Sequence, residues 1–560
     1  MNPFTPTTEQ KSVIEDALDT GSSALVVAGP GTGKTRIAIE VARRKVWLLD
    51  EELRRRILFL SFSNAAIERL ASTAGVYFTP EEKKHLCFMT YHSCAASILR
   101  HYGRFVGLPP NIRIADKLEE RLLCIESGWA EDDEASKCGL IEVAKTKGLL
   151  SFDILIPLAD KLLRSSAGLR TVIARHYPLI VVDEFQDTSE SQWRLLQALG
   201  ADSQVIAFAD PNQIIYASIH AATVQRMREF EEWKRVAATP FSTKNFRCSD
   251  GDILKFADCL LNGIPFGSRK TDNVHIFNVD YRTKRRGIVA LIWKAIQDKV
   301  GKSETIAVLA PSNVLVEKIA VELRSPPKDS PIRFPVHVQM ARDEAAYDAV
   351  VLAVAALHDL AYSPSDLTSR KAAVSLLALN THWNSRVKIK AGQVESIAKG
   401  LMAQLPMPSM PLGEFIVGLK MEHDLASRVP AFIDCLAGLK MFSVTAARIS
   451  AHGHLQTERI MVDDPQLSLF ESFRSARTPK GLSGYDAWKG KTHALTYHKA
   501  KGREFDFVIL VVDPRCESTK SALDEKRRLY YVCATRAKKW LGVIHFGNDY
   551  GPVLGPVIRN

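Results

Sequence analysis

The segment "VVAGPGTGKTRIAIE" (26–40) constrains the fold more than any other. An apolar run predicts a buried strand, and a helix-length amphipathic stretch begins at Lys34 and Thr35. The bend between them contains a proline and the glycines Gly29, Gly31 and Gly33. Such a bend points backbone N–H groups and a helix N-terminus at phosphate oxygens, with the lysine on the β and γ phosphates and the hydroxyl on Mg²⁺. We predict a triphosphate site here, because the flanking strand and helix disfavour the alternative, a glycine-rich surface turn.

A second segment, the acidic "LIVVDEFQDT" (179–188), predicts the other half of such a site. Asp183 stands at the end of an apolar strand, where a carboxylate can hold Mg²⁺ through water. Its neighbour Glu184 can orient or deprotonate an attacking water. A strand-end acidic pair alone also suits a capping or salt-bridge role, and it is the phosphate-type bend that favours the chemical role.

Short apolar strands alternate with helix-length stretches in two zones of the chain, which predicts two α/β domains with parallel sheets. The strands predicted in the first zone are 23–29, 57–63, 179–184 and 204–210, and those in the second are 274–279, 305–311 and 507–513. We assign the first domain to 1–104 and 173–240 and the second to 241–355 and 489–560. Two mostly helical stretches, 105–172 and 356–488, read as insertions because strand-rich segments resume after each.

The composition limits the partners and the compartment. Lys and Arg total 74 against 63 Asp and Glu, and the net charge of +11 permits a polyanionic partner. The nine cysteines form no C-x-x-C pair, which favours a reducing compartment and argues against a zinc or iron–sulfur site. The N-terminus lacks the apolar core of a signal peptide, and the longest apolar run (349–357) is far shorter than the roughly 18 residues of a membrane span. We expect a cytoplasmic protein.

"DEFQDT" together with "AGPGTGKTR" resembles the UvrD/Rep family of superfamily 1 helicases. Further segments resemble the remaining motifs in the family's order: "FTPTTEQ" 4–10, "SFSN" 61–64, "TYHS" 90–93, "DPNQIIY" 210–216, "KNFRCS" 244–249, "LTYHKAKGREF" 495–505 and "EKRRLYYVCATRA" 525–537. The resemblance implies an α/β fold of two RecA-like P-loop domains with parallel sheets, each carrying a mostly helical insertion. It also implies an ATP-dependent single-stranded-DNA translocase or helicase that moves 3′ to 5′.

The same resemblance implies roles around the nucleotide. Gln10 pairs with adenine and Gln213 senses the γ-phosphate. Phe246 and Arg36 provide flat faces between which the adenine stacks, and Glu504 touches the ribose. Two arginines, Arg247 and Arg536, lie on the second domain and reach the γ-phosphate when nucleotide closes the cleft, which couples hydrolysis to domain motion.

Residues in the motifs at the strand ends are expected to contact nucleic acid. They are Phe62, Asn64, Thr90, His92, Tyr216 and His498. Four of them, Phe62, His92, Tyr216 and His498, have rings on which bases can stack without sequence preference. Without the resemblance, each aromatic residue could equally be a core residue.

One departure from the family leaves a second hypothesis open for the function. After Tyr216 the family continues with glycine, tryptophan and arginine, and the tryptophan stacks on a base. In this sequence Ser218 stands at the tryptophan position and Ile219 at the arginine position. The insertions also look shorter than is usual. These differences favour a DNA-activated ATPase or sensor subunit that regulates a partner nuclease, as in Gabija-type anti-phage systems, with weak or no unwinding.

Residues Gln466 to Phe470, "QLSLF", are similar to the short peptide that bacterial replication proteins insert into the sliding clamp. The alternative is an apolar stretch that packs onto neighbouring helices. No metal-ligand constellation stands out in either insertion, so we assign no nuclease chemistry to this chain.

Overall fold

A computed structural model of the 560-residue chain describes most of the two strand-rich zones. The described residues are 6–49, 55–115, 134–215, 225–241, 251–267, 270–279, 284–299, 304–324, 338–340, 491–513, 519–547 and 550–558, with 119, 120, 123, 124, 127, 129, 326, 336 and 515. The predicted insertion 356–488, with its segment 466–470, lies outside them.

The strands, numbered along the chain, are short and mostly buried. They are β1 (Ala24–Val27), β2 (Ile57–Ser61), β3 (Leu86–Thr90), β4 (Arg113–Ile114), β5 (Leu149–Leu150), β6 (Leu179–Asp183), β7 (Gln204–Ala209), β8 (Ala238–Pro240), β9 (Val274–Val279), β10 (Ile306–Ala310), β11 (Val338–Met340), β12 (Thr492–Thr496), β13 (Phe505–Val511) and β14 (Ala537–Phe546).

Helices separate most of these strands. They are α1 (Thr8–Asp19), α2 (Lys34–Val46), α3 (Asn64–Tyr77), α4 (Pro80–Lys83), α5 (Tyr91–Tyr102), α6 (Glu134–Lys147), α7 (Phe152–Ser165), α8 (Ala167–His176), α9 (Glu190–Leu199), α10 (Gln225–Lys234), α11 (Asp252–Asn262), α12 (Lys284–Lys299), α13 (Asn313–Arg324), α14 (Lys520–Ala534) and α15 (Gly551–Ile558). Short 3₁₀ turns follow three strands, at Phe185–Asp187, Pro211–Gln213 and His498–Ala500.

Two six-stranded sheets organise the described chain. The first has the order β3-β2-β6-β7-β1-β8 and the second the order β11-β12-β10-β13-β14-β9. Every strand pair in both sheets is parallel. We call each sheet with its helices a lobe. The prediction of an α/β fold with parallel sheets is confirmed, and each of the seven predicted strands is present with its ends displaced by no more than a few residues.

Apolar side chains on both faces hold each sheet. In the first lobe, Ile14 of α1 and Ile37 of α2 belong to one core with the sheet residues Phe59 and Phe208, and all four are at most 1% exposed. The second sheet separates two such cores. Parallel sheets need helices on both faces, so the strands are buried along their length and only the strand ends carry accessible polar groups.

The chain divides into two compact units. One comprises Met1–Ile98, Ile156–Ala341 and Tyr485–Asn560 and contains both six-stranded sheets. The other comprises Leu99–Leu155 and Arg342–Gly484, and its described part contains α6 and the two-stranded sheet β4-β5. The domain limits given by the sequence, including 105–172 for the first insertion, stay predictions. None of the helices that the structure describes has the length and apolar character needed to span a lipid bilayer.

Candidate nucleotide site between the two lobes

The glycine-rich bend joins β1 to α2 with two residues in the left-handed region. Gly31 has a φ of 73° and Gly33 a φ of 92°, values that favour glycine. A Cβ added at Gly33 would also lie 3.2 Å from Nε2 of Gln10. Ala28, where the strict phosphate-loop pattern has its first glycine, is not among the described non-glycine residues with positive φ, so alanine fits there without strain.

Lys34 begins α2, and its side chain folds over the bend. Its Nζ donates to the carbonyl oxygens of Ala28 at 2.6 Å and Gly29 at 2.8 Å, and lies 3.8 Å from Oδ2 of Asp210. The ammonium group is therefore held directly above the loop whose N–H groups are predicted to receive phosphates.

Gln10 connects α1 to the same bend. It belongs to a capping box, in which Thr7 N–H donates to Oε1 of Gln10 at 3.0 Å and the Thr7 hydroxyl accepts from Gln10 N–H. Its Nε2 donates to the carbonyl of Thr32 at 2.9 Å, and the residue is 3% exposed. The amide thus reaches the bend because the cap fixes the start of the helix.

The acidic pair ends β6 at the same edge of the first sheet. Asp183 and Glu184 are 3% and 8% exposed. Glu184 has φ 54° and ψ 42°, a left-handed conformation that is uncommon outside glycine and costs about 1–3 kcal/mol. Strain of this kind persists where surrounding contacts over-determine it, as at many functional sites.

The two carboxyl groups have opposite pKa shifts. Burial and then the charge of Glu184 raise the pKa of Asp183. Burial alone would raise the pKa of Glu184 as well, but four surrounding cations lower it to about 2, and Lys501 has the largest effect among them. Glu184 is therefore ionised throughout the neutral range.

A chain of hydrogen bonds runs from Glu184 to the second lobe. Gln186 Nε2 donates to Glu184 Oε2 at 2.7 Å, and Gln186 Oε1 accepts from Asp210 N–H at 3.0 Å. Asp210 Oδ2 accepts from Gln213 Nε2 at 2.6 Å. Arg536, on the other sheet, donates from Nη2 to Gln213 Oε1 at 2.7 Å and is 1% exposed. Two residues predicted from different lobes, Gln213 and Arg536, are thus in direct contact.

A buried ion pair makes a second connection between the lobes. Lys501 Nζ lies 2.6 Å from Asp187 Oδ2, and both side chains are at most 7% exposed. The same ammonium group donates to the carbonyl of Gln213. Burial raises the pKa of Asp187 to about 7, and the charge of Lys501 opposes that rise.

Gly502 brings the loop after β12 against the start of α3. Its φ is 77°, and an added Cβ would lie 3.6 Å from Ala66 N and 3.7 Å from Ser63 Oγ. The lobes therefore approach each other at a glycine in the left-handed region.

Two further side chains lie beside the predicted nucleotide residues. Arg69 on α3 contacts Asp183 and also Glu504 of the second lobe, where Lys538 is a further partner of Glu504. The guanidinium carbon of Arg36 lies 3.5 Å from the ring centroid of Tyr77, at the end of α3. Burial lowers the pKa of Arg36.

Several of these residues were missed by sequence reasoning. Three of them, Asp187, Asp210 and Lys501, lie within the motifs named above, and their position in a motif was the signal that could have identified them. Arg69 and Tyr77 lie outside the recognised segments, and only the path of α3 across the sheet edge brings them to the site.

The residues expected to contact nucleic acid follow three strands. Phe62 and Asn64 come after β2, Thr90 ends β3, and His92 lies in the first turn of α5. The Thr90 hydroxyl accepts from Ser93 N–H at 3.2 Å and therefore helps to cap that helix. His498 begins the turn after β12, and burial lowers its pKa. Tyr216, Phe246 and Arg247 lie outside the described residues.

Fold and site together define a two-lobed P-loop protein, with a glycine-rich loop and an acidic strand end on one sheet and an arginine from the other. Residues 7–143 and 138–233 match the UvrD/REP helicase N-terminal domain, and residues 491–544 match the UvrD-like helicase C-terminal domain. The chain belongs to the UvrD/Rep-like helicase family.

Curated relatives agree with this assignment at modest identity. The chain is 21% identical to the ATP-dependent DNA helicase PcrA of Leuconostoc citreum, over 92% of this chain and 79% of the relative. It is 25% identical to DNA helicase II of Haemophilus influenzae, over 93% of this chain and 81% of the relative. The match to the ATP-dependent DNA helicase Rep of Escherichia coli is shorter, at 24% identity over 43% of this chain and 41% of Rep.

Proposed function

We propose that this protein is an ATP-dependent single-stranded-DNA translocase or helicase that hydrolyses ATP in the cleft between its two lobes. The relatives are named as ATP-dependent DNA helicases and DNA helicase II, which supports the reaction class. The single observation that carries the proposal is the hydrogen-bonded chain from Glu184 through Gln213 to Arg536, because it joins the acidic strand end to an arginine on the opposite lobe.

The bend residues and Lys34 hold the phosphates. Gly29, Gly31 and Gly33 allow the backbone to approach them closely, and the ammonium group replaces its contacts with the loop carbonyls by contacts with phosphate oxygens. The ammonium group already lies at the bend, where it donates to the carbonyls of Ala28 and Gly29, so bound phosphate competes with these carbonyls for the same group.

Thr35 and Asp183 supply oxygen ligands that suit Mg²⁺. Carboxylate and hydroxyl oxygens are hard donors, and Asp183 already accepts a cation, Arg69, at 3.2 Å. Among the described residues no group of three or more His, Cys, Asp or Glu side chains could hold a metal alone. This fits Mg²⁺, which is usually bound by one or two carboxylates together with substrate phosphates. When bound, it neutralises the charge that develops on those phosphates.

Glu184 orients the attacking water. As an ionised carboxylate it can accept a hydrogen bond from the water and position it for attack. Gln213 reports the state of the γ-phosphate to Arg536, and Arg247 is assigned the same type of role from its motif. An arginine that reaches the γ-phosphate from another lobe contributes about 10³ to 10⁵ in rate.

The base and ribose are held at the edge of the first lobe. Gln10 pairs with adenine, Arg36 and Phe246 stack on it, and Glu504 contacts the ribose. The 3.5 Å contact between Arg36 and Tyr77 supports this assignment, because it packs the guanidinium against an aromatic ring beside the glycine-rich bend.

DNA binds across the strand ends of both lobes. We assign the contacts to Phe62, Asn64, Thr90, His92, Tyr216 and His498. Stacking contributes about 1–3 kcal/mol per base without sequence preference. Nucleotide-driven closure then advances one lobe along the strand, and we infer a 3′ to 5′ direction from the family resemblance.

The test is phosphate release from ATP with and without single-stranded DNA. Lys34→Ala and Glu184→Gln are expected to abolish DNA-stimulated hydrolysis, while Glu184→Gln retains ATP binding because the phosphate contacts remain. Lys539→Ala, an exposed cation of the second lobe, is the control and is expected to hydrolyse ATP as the wild type does. Full turnover by Lys34→Ala would exclude this site.

A second candidate function is a DNA-activated sensor that regulates a partner nuclease in anti-phage defence. It is favoured by Ser218 and Ile219, which occupy the positions where the family has a base-stacking tryptophan and its neighbour. Unwinding of a duplex with a 3′ single-stranded tail, measured beside the ATPase rate, separates the two candidates. Strand separation supports the helicase, and rapid hydrolysis without it supports the sensor. Copurification from the native cell would identify a nuclease, or a sliding clamp bound through Gln466 to Phe470.

A further inference from the structure

Arg69 lies in the middle of α3, and its guanidinium joins acidic groups of both lobes. Nη2 donates to Oδ2 of Asp183 at 3.2 Å, and Nη1 lies 3.6 Å from Oε1 of Glu504. In the proposed function, Asp183 is the carboxylate assigned to Mg²⁺ and Glu504 is the carboxylate assigned to the ribose. One cation therefore occupies both acidic partners of the proposed nucleotide.

Electrostatics keeps this guanidinium charged. Burial would lower the pKa of Arg69, but the neighbouring carboxylates outweigh that effect and raise it. Asp183 is 3% exposed, so its charge needs a nearby cation. A guanidinium and Mg²⁺ repel each other, so both cannot be held closely by one carboxylate at low cost.

The contacts of Arg69 are weak for an arginine. Charge-assisted hydrogen bonds of this type are typically about 2.7–2.9 Å and often paired, and such pairs give a rigid connection. Here one bond is 3.2 Å long, the second contact exceeds hydrogen-bond length, and Nε has no hydrogen-bond partner among the described residues. The side chain is 23% exposed, so solvent is within reach.

Both carboxylates keep a partner when Arg69 leaves. Glu504 Oε2 lies 3.4 Å from Nζ of Lys538, whereas Arg69 contacts the other oxygen, Oε1. Asp183 gains the metal that the proposed function assigns to it. Departure of the guanidinium therefore leaves no buried charge uncompensated.

We propose that Arg69 is a displaceable counter-ion: it neutralises Asp183 and connects it to Glu504 while the cleft is empty, and Mg²⁺ with nucleotide displaces it. The inference rests on the proposed function, because it concerns the same cleft. Arg69 thereby sets how much Mg²⁺ the protein needs to bind ATP, and its departure breaks one connection between the lobes.

The test is the Mg²⁺ dependence of nucleotide binding by the full chain. Binding of methylanthraniloyl-ATP is followed by fluorescence while MgCl₂ is titrated, without DNA, for the wild type, Arg69→Gln, Arg69→Lys and Lys538→Gln. Arg69→Gln is expected to lower the half-saturating Mg²⁺ concentration about ten-fold, because it removes the competing charge from Asp183. Lys538→Gln removes an equal charge but takes from Glu504 the partner that remains when Arg69 leaves, so it is expected to leave the half-saturating Mg²⁺ concentration unchanged or to raise it.

Arg69→Lys keeps a cation beside Asp183, but its single ammonium group is on a shorter side chain. Its half-saturating Mg²⁺ concentration should therefore fall between those of the wild type and Arg69→Gln. If Arg69→Gln gives no cooperative thermal transition, Arg69→Lys decides, and an unchanged midpoint for it overturns the inference. An unchanged or higher Mg²⁺ requirement in Arg69→Gln, or an equal shift in Lys538→Gln, also overturns it. Failure of the wild type to bind the nucleotide at any Mg²⁺ concentration would overturn the proposed function itself.

Discussion

The ion pair between Lys501 and Asp187 is expected to stabilise the contact between the lobes strongly, and a double-mutant cycle can measure it. The perturbations are Lys501→Met, Asp187→Asn and the double substitution. Asp187→Asn removes the negative charge beside a buried ammonium group, and Lys501→Met removes the cation beside a buried carboxyl group, since the side chains are 1% and 7% exposed. The double change removes both charges at similar volume.

The magnitude follows from the geometry. At the Nζ–Oδ2 distance of 2.6 Å, an effective dielectric constant of about 20 gives a direct attraction of about 6 kcal/mol, which desolvation of the two ions largely offsets. Removal of one partner of a buried pair typically costs about 3–5 kcal/mol. We therefore expect each single variant to lose about 3 kcal/mol, and the coupling energy of the cycle to be about 2 kcal/mol or more.

Urea unfolding followed by tryptophan fluorescence measures these free energies at about pH 8.5, above the pKa of about 7 of Asp187, so that the pair is charged. The matched control is Lys539 and Glu304, whose atoms are also 2.6 Å apart but whose side chains are 53% and 25% exposed. Its coupling should be much smaller than that of the buried pair, because solvent screens a surface pair. A coupling below about 0.5 kcal/mol for the buried pair, or one equal to that of the control, would refute the reasoning.

Three other predictions concern the site. Gln213→Ala should slow DNA-stimulated ATP hydrolysis about 10²-fold with little change in KM, because it breaks the hydrogen bond to Arg536 but leaves the phosphate loop intact; a wild-type kcat would contradict this. Tyr77→Ala should raise the KM for ATP about three-fold and Tyr77→Phe should not, since the ring face and not the hydroxyl holds Arg36; equal effects of the two would exclude stacking. The pKa of Glu184 is lowered from 4.5 to about 2, so its ionised form contributes stability that is present above pH 4.5 and is lost as pH falls through 2. The thermal midpoint of Glu184→Gln should therefore fall less steeply than that of the wild type below pH 4.5, and parallel curves would rule out this contribution.

The strands with continuous apolar or β-branched runs could be predicted from the sequence. Strands such as β3 ("LCFMT"), β12 ("THALT") and β14 ("AKKWLGVIHF") were not, because sulfur-containing, small or polar residues interrupt their apolar character. They are strands because parallel neighbours supply hydrogen-bond partners, on both sides of β12 and β14 and on one side of β3, which lies at the edge of its sheet. These partners are a property of the whole sheet and not of the segment.

The chemistry of the candidate site could be predicted where it is local. Lys34 and Thr35 begin a helix after a glycine-rich bend, and Asp183 and Glu184 stand at the end of an apolar strand. Both patterns are visible within a few residues of sequence. The role of Arg69 could not be predicted, because one partner, Asp183, lies 114 positions away and the other, Glu504, lies on the opposite lobe. The contact between Gln213 and Arg536 could not be predicted either, because the two residues are 323 positions apart. The sequence suggested a role for each residue but not the hydrogen bond between them.

The most direct test of the central claim is the steady-state rate of ATP hydrolysis by Arg536→Ala on saturating single-stranded DNA. Arg536 belongs to the second lobe, whereas the phosphate loop belongs to the first, so only hydrolysis in the cleft between them makes the rate depend on this arginine. We predict a loss of about 10³ in kcat with ATP binding retained, and an unchanged rate for Lys539→Ala. Hydrolysis at the wild-type rate by a folded Arg536→Ala protein would contradict the account.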